Sequence, residues 1–224
     1  MLSIFRMFLS GNLNVMTFIA YLASICFVVF CATPLHEFAH ARVAVALGDD
    51  TPLLRGRCTI NPMAHISPIG AVMIFLFGFG YAKPVEVRMR NFKNPKRDMA
   101  IVALAGPLCN ILQAFVYLLL FSVLTNAVGI NSYLLMAVGT FLSFAATINI
   151  NLAVFNLIPI PPLDGSRLLN ALLPAKYYFK LMQYERYFNI AIIVLLFTGI
   201  LSTPLSYISS LIFDGILFLV SLPF

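Results

Sequence analysis

The sequence predicts an all-α polytopic membrane protein with five transmembrane helices, a re-entrant segment and a short extended, β-hairpin-like loop. Three observations carry that expectation. Of the 224 residues, 61% are hydrophobic and 10% charged, and the mean hydropathy is +0.96, a balance that a water-soluble globule does not tolerate. The apolar residues gather into runs of about 20, the length a helix needs to cross a bilayer. The charges fall between those runs: nine Lys and Arg lie from Arg42 to Arg97, four from Arg167 to Arg186, and none in 125–131. The net charge of +6 and pI near 9.3 therefore express membrane topology, and no nucleic-acid partner is expected. Cys26, Cys31, Cys58 and Cys109 have no paired spacing and read as reduced thiols filling apolar space. Residues 1–10 carry one basic side chain, Arg6, and no small-residue cleavage signature, so no removable signal peptide is expected.

The first span covers about 14–47. Helical throughout, it would measure about 51 Å against a hydrocarbon core of about 30 Å, so its end leaves the lipid. Pro34 removes a backbone donor and should bend it, and Gly48, Asp49 and Asp50 end it. Residues 51–68, with Arg-Gly-Arg and Asn61-Pro62, read as short extended pieces and a turn. Residues 69–81 are apolar but too short to span and contain Gly70, Gly78 and Gly80; they read as re-entrant. A basic loop over 83–97 leads to the second span, about 98–124, where Ala105, Gly106, Pro107 and Asn110 suit close helix packing. The third span, about 132–158, runs into Asn156-Leu-Ile-Pro159-Ile-Pro161-Pro162-Leu-Asp164-Gly165. Prolines so dense cannot be helical, so Asp164 is presented from irregular backbone, tolerated at membrane depth only against protein or a wet cavity. Two last spans, about 187–201 and 205–222, follow.

Chemistry concentrates near the end of the first span, where 31–42 read CATPLHEFAHAR. His36 and His40, four apart, share a helix face and can offer two imidazole nitrogens to one metal ion; Glu37, one position round, can reach a metal-bound water as general base. Two histidines on a soluble helix are as often satisfied core residues. Inside an apolar run each ionisable group costs about 2.5–3.5 kcal/mol on insertion scales, which favours a metal site. One zinc ion per chain is the natural occupant. Topology supplies the third ligand. With 69–81 re-entrant, every basic loop lies on one face, cytoplasmic by the positive-inside rule, with the N-terminus outside. The first and third spans then end on the same side, which is the condition for His36, His40 and Asp164 to form one site near the cytoplasmic face.

HEFAH, GRCTINPMAHISPIG, GYAKPVEV followed by NF and NP, ALAGPLCN and FNLIPIPPLDG together resemble the site-2 protease family of intramembrane zinc metalloproteases, in its short form without accessory domains. The resemblance covers about 34–169. It implies a single membrane-embedded domain over 1–224, with a catalytic core at about 14–169 and two further helices in 170–224. It implies that His36, His40 and Asp164 bind zinc, that Glu37 is the catalytic acid/base, and that Asn156 donates to the oxyanion. Ser67 departs from the pattern, since related sequences often have Asp there. The implied activity is hydrolysis of peptide bonds in or near transmembrane helices of membrane-protein substrates, as in regulated intramembrane proteolysis. A substrate helix must unwind before attack, because its carbonyls are engaged by its own amides, so helix-weakening residues should help.

Substrate contacts are expected in the loop carrying Arg55, Thr59, Ile60 and Asn61, where extended backbone could pair with an unwound substrate; the equal alternative is a plug over the cytoplasmic opening. His65 reads as a loop histidine capping backbone groups, and Asp214 as an interior-facing hydrogen-bonding group. Two rival functions stand beside the protease. A zinc transporter or channel would use the same ligands but does not need a glutamate beside the first, and no inverted repeat is visible. A non-catalytic scaffold binding membrane helices is disfavoured by the intact Glu37 and ligand set.

Overall fold

The computed structural model describes residues 14–65, 67, 83–128 and 132–223. Helix α1 (Val15–Phe27) starts where the Asn14 side chain accepts the Met16 N–H at 2.8 Å. It passes through a π turn, Val28–Ala32, into α2 (Thr33–Ala46). Pro34 accounts for that turn: it has no N–H to give the preceding turn, and widening lets the Thr33 N–H reach Val28 O instead. The bend expected at Pro34 therefore takes the form of a π turn, and the three pieces form one 32-residue helix, Val15–Ala46.

The extended, hairpin-like reading of 51–68 gives way to two single turns, α3 (Thr51–Leu54) and α4 (Pro62–His65), joined by bends, and no strand occurs among the described residues. Pro52 and Pro62 sit in the first turns, where a missing N–H does no harm. The loop closes on itself: the Arg57 guanidinium donates to Ala64 O, and His65 Nε2 donates to Thr59 O at 2.7 Å. The proposed re-entrant segment at 69–81 lies outside the described residues.

Residues 83–88 form neither helix nor strand and lead through a 3-10 turn, Met89–Asn91, to α5 (Pro95–Ser122). Buried Asp98 fixes that start by accepting the Asn94 N–H at 2.9 Å. A π turn, Val123–Val128, continues α5, and Ser132 caps α6 (Tyr133–Asn156) by accepting the Leu135 N–H. Then come α7 (Asp164–Leu172), α8 (Ala175–Gln183), α9 (Glu185–Thr198) and α10 (Ser202–Ser221).

Among the described residues, four helices are long and apolar enough to cross a membrane: Val15–Ala46, Pro95–Asn126, Tyr133–Asn156 and Ser202–Ser221. The fifth span expected at 187–201 is not among them. There α9 has 14 residues, about 21 Å of helix, short of a hydrocarbon core of about 30 Å. The core lies where α5, α6 and α10 meet, with Ala114, Leu118, Ala146, Ile150, Val154, Ile216 and Val220 buried together. A second cluster, Ala44, Phe92, Met99 and Val102, fastens the end of α2 to the start of α5. Large side chains such as Leu108, Leu112, Leu120, Leu134 and Phe218 face outward, the arrangement lipid permits. Asp214 is exposed on α10 rather than turned inward, a correction to the sequence reading. Gln113 bridges to Ala32 O at 3.4 Å, Asn149 bonds within its own helix to Ala145 O, and Asn151 is exposed.

Candidate metal centre

Helix α2 turns one face inward against α5, and that face carries His36 and His40, both buried. Because the two sit four residues apart, their rings meet edge to face one turn apart, with centroids 4.7 Å apart and planes at 82°. Asp164 arrives from the far side of the sequence. Residues 157–163 leave α6 as a run of turns and bends, held by Leu163 N–H to Ile160 O and Ser166 N–H to Leu163 O, so that α7 begins at Asp164 itself. Gly165 makes this possible: a Cβ there would collide with the carbonyls of Leu157 and Ile158.

The three side chains converge on one point. Asp164 Oδ2 lies 3.2 Å from His36 Nε2 and 3.1 Å from His40 Nε2, and the two nitrogens are 3.1 Å apart. This near-equilateral triangle can be tested against zinc. With ligand bonds of about 2.0–2.1 Å, a tetrahedral ion holds its donors about 3.3 Å from one another, leaving one corner open. The donors present match that spacing and are two imidazole nitrogens and a carboxylate oxygen, a set zinc accepts. His40 Nδ1 donates to the backbone carbonyl of Val102 at 2.7 Å, which leaves Nε2 as the bare nitrogen facing the triangle. Burial alone would push the Asp164 carboxyl up, but the adjacent imidazoles outweigh it and hold the group well below the usual carboxylate range.

Space for an ion comes from Gly106 on α5. A Cβ at this position would overlap the Nε2 atoms of both His36 and His40. Sequence reading treated Gly106 only as a packing residue. Its role is the absence of a side chain, which leaves no pattern beyond the small residue itself.

Glu37 sits beside this group on α2 and is half-buried; its Oε2 accepts the Val85 backbone N–H at 3.3 Å. Val85 belongs to the irregular stretch 83–88, and no property of its side chain announced the contact. Asn156 is half-buried in the last turn of α6, eight positions before Asp164. The loop residues stand apart from the triangle and engage one another. Arg55 pairs with Glu86 at 3.6 Å on the surface, the Thr59 hydroxyl accepts the Asn61 N–H, and Asn61 Oδ1 accepts the Met63 N–H; Ile60 is exposed. His65 is fully buried with its Nε2 on Thr59 O and is not part of the metal-ligand group among the described residues. The capping reading of His65 fits that geometry.

A family model described as Peptidase family M50 matches residues 121–201, the part that contains Asn156 and Asp164. A Bacillus subtilis protein named as a zinc metalloprotease, YwhC, is 40% identical over 166 residues, which are 73% of this chain and 75% of that protein. Rip2 of Mycolicibacterium smegmatis, also named as a zinc metalloprotease, is 30% identical over 173 residues, 75% of this chain and 64% of its own length. The Rip2 protein of Mycobacterium tuberculosis (strain ATCC 35801 / TMC 107 / Erdman) is 30% identical over 177 residues, 73% of this chain and 63% of its own. The chain thus spans under two thirds of either Rip2 protein. No solved structure matches it. At 40% identity over three quarters of YwhC, the chain belongs to the site-2 proteases, peptidase family M50.

Proposed function

We propose that this chain is a zinc-dependent endopeptidase that cuts membrane-protein substrates within or near their transmembrane helices, with its site toward the cytoplasmic face. The observation that carries the reading is the buried triangle of His36, His40 and Asp164 with Glu37 alongside, on helices of membrane-crossing length. The residues that would hold the ion are His36 through Nε2, His40 through Nε2 and Asp164 through Oδ2. When bound, zinc supplies a Lewis acid and makes a water nucleophilic at neutral pH.

The remaining work falls to the chain. Val102 O fixes the His40 ring so that its ligand nitrogen does not rotate away. Glu37 holds one carboxylate oxygen against the Val85 N–H, leaving the other to take a proton from the attacking water and return it to the leaving nitrogen. Asn156, at the end of α6, is assigned as the donor to the carbonyl oxygen as negative charge builds there. The family membership supports protease chemistry, and the apolar outer faces of the four long helices support a site served from within the bilayer. The basic loops 42–97 and 167–186 support a cytoplasmic placement.

Zinc content and cleavage of a tagged helical substrate in liposomes test this together. One zinc per chain should disappear in His36→Ala, His40→Ala and Asp164→Ala. Glu37→Gln should keep zinc and lose cleavage; turnover near the parent rate in that variant would overturn the mechanism.

A further inference from the structure

We infer that Asp49 is a positioning residue for the reaction, acting through the backbone of residues 83–88 on Glu37. This rests on the reading of Glu37 as acid/base given above. Asp49 lies three residues past the end of α2, yet none of its surface is exposed. Its carboxylate accepts four hydrogen bonds. Oδ1 takes the Thr51 N–H at 3.1 Å, the Thr51 hydroxyl and the Asn91 amide at 2.7 Å, while Oδ2 takes the Arg88 backbone N–H at 2.6 Å. The Thr51 bonds at Oδ1 are local and belong to the turn that ends α2. The Oδ2 bond reaches the stretch that touches Glu37.

Residues 83–88 form neither helix nor strand, and Arg88 itself is extended. Val85 N–H points to Glu37 Oε2 at 3.3 Å, and Arg88 N–H points to Asp49 Oδ2. The stretch is thus clamped between two carboxylates that belong to one continuous segment, one on α2 and one just beyond it. The other charged anchor of the stretch, Glu86 to Arg55, is long at 3.6 Å and exposed at both ends, so it is worth little. Asp49 is the buried anchor. It sets where the Val85 N–H stands, and the Val85 N–H sets which Glu37 oxygen remains free.

The competing account is that Phe92 and Val87, packed on Ala44 and Met99, hold the stretch without help, so that Asp49 serves only the turn. Asp49→Asn separates the two. An asparagine oriented to keep its oxygen on Thr51 and Asn91 places its NH2 against the Arg88 N–H, breaking that one bond. Val85→Pro deletes the N–H that meets Glu37. Steady-state cleavage of a helical model substrate should be measured for both variants, for the double variant and for Glu37→Gln, with zinc content alongside.

Each single variant should retain zinc and lose about ten- to a hundredfold in kcat, the scale of a small misplacement of a catalytic group, with KM within about twofold. The double variant should be no slower than Val85→Pro alone, because both act on one contact. Parent-like turnover in Asp49→Asn, or losses that multiply in the double variant, would overturn the inference. If Asp49→Asn loses its zinc, replacing the Arg88 amide by an ester decides, since it removes the same N–H without fixing φ and leaves Asp49 and its turn intact: a kcat loss with zinc retained supports the inference, and parent turnover ends it. An active Glu37→Gln would instead remove the underlying mechanism.

Discussion

At the scale of single residues, the site depends as much on a missing side chain as on those present. Gly106 sits inside α5, where replacing glycine by alanine ordinarily stabilises a helix by about 1 kcal/mol. Here the added methyl would occupy the space between the imidazoles of His36 and His40. Gly106→Ala should therefore leave helix content by circular dichroism at or above the parent value while most of the zinc is lost; a variant that keeps one zinc per chain would show that the pocket is not where the histidines meet. Asp49 makes a second residue-scale prediction. Burial pushes its carboxyl up, but hydrogen bonds from Thr51, the Arg88 N–H and Asn91 outweigh that and hold it below the usual value. A depressed folded pKa contributes stability that is present above the unfolded value of about 4 and is lost as pH falls through the folded value. The gap in melting temperature between parent and Asp49→Asn should be widest above pH of about 5 and close in stronger acid, read by thermal melts in detergent across that range.

At the scale of elements, the triangle is built from one continuous helix and one interrupted one. The histidine pair was legible because i and i+4 on any helix share a face, and Asp164 was legible because three prolines force the chain to unwind just before it. The supports were not legible. Val102 and Val85 act through a backbone carbonyl and a backbone N–H, which every residue possesses. Over 51–68 the Gly and Pro signals were read as breaking helices, whereas Pro52 and Pro62 occur in first helical turns and His65 and Arg57 satisfy the loop backbone internally. The turn from α6 to α7 can be tested through Gly165. A methyl there must displace the Leu157 or Ile158 carbonyl, moving Asp164 away from the imidazoles. Gly165→Ala should lose zinc nearly as fully as Asp164→Ala and melt at lower temperature, whereas a parent-like zinc content would mean that the turn has slack.

At the scale of the whole molecule, four spans are found among the described residues where the sequence predicts five, because apolarity over 187–201 was taken for length and α9 stops at 14 residues. Four spans make a different topology from five. Asp49 bonds to Asn91, and Asp164 meets the histidines of α2, so the end of the first span, the start of the second and the end of the third share one face. With one span left, residues 14 and 223 fall on the same opposite face. Single cysteines at Asn14 and Pro223 in a background without the four native cysteines should be labelled by an impermeant maleimide from the same side of sealed vesicles. Labelling from opposite sides would restore a fifth crossing.

The bond from His40 to Asp164 joins positions 124 residues apart, and that separation has a consequence for how the protein is made. Helices enter a membrane in chain order, so α2 with its histidines and glutamate is in place long before α7 exists. During that interval the chain holds two ligands of three and has no complete centre to hydrolyse anything around it. Hydrolytic competence is gained only when α6 has crossed and the proline turn has delivered Asp164. On the proposed ligand set, metal capture would then wait for the completion of the core.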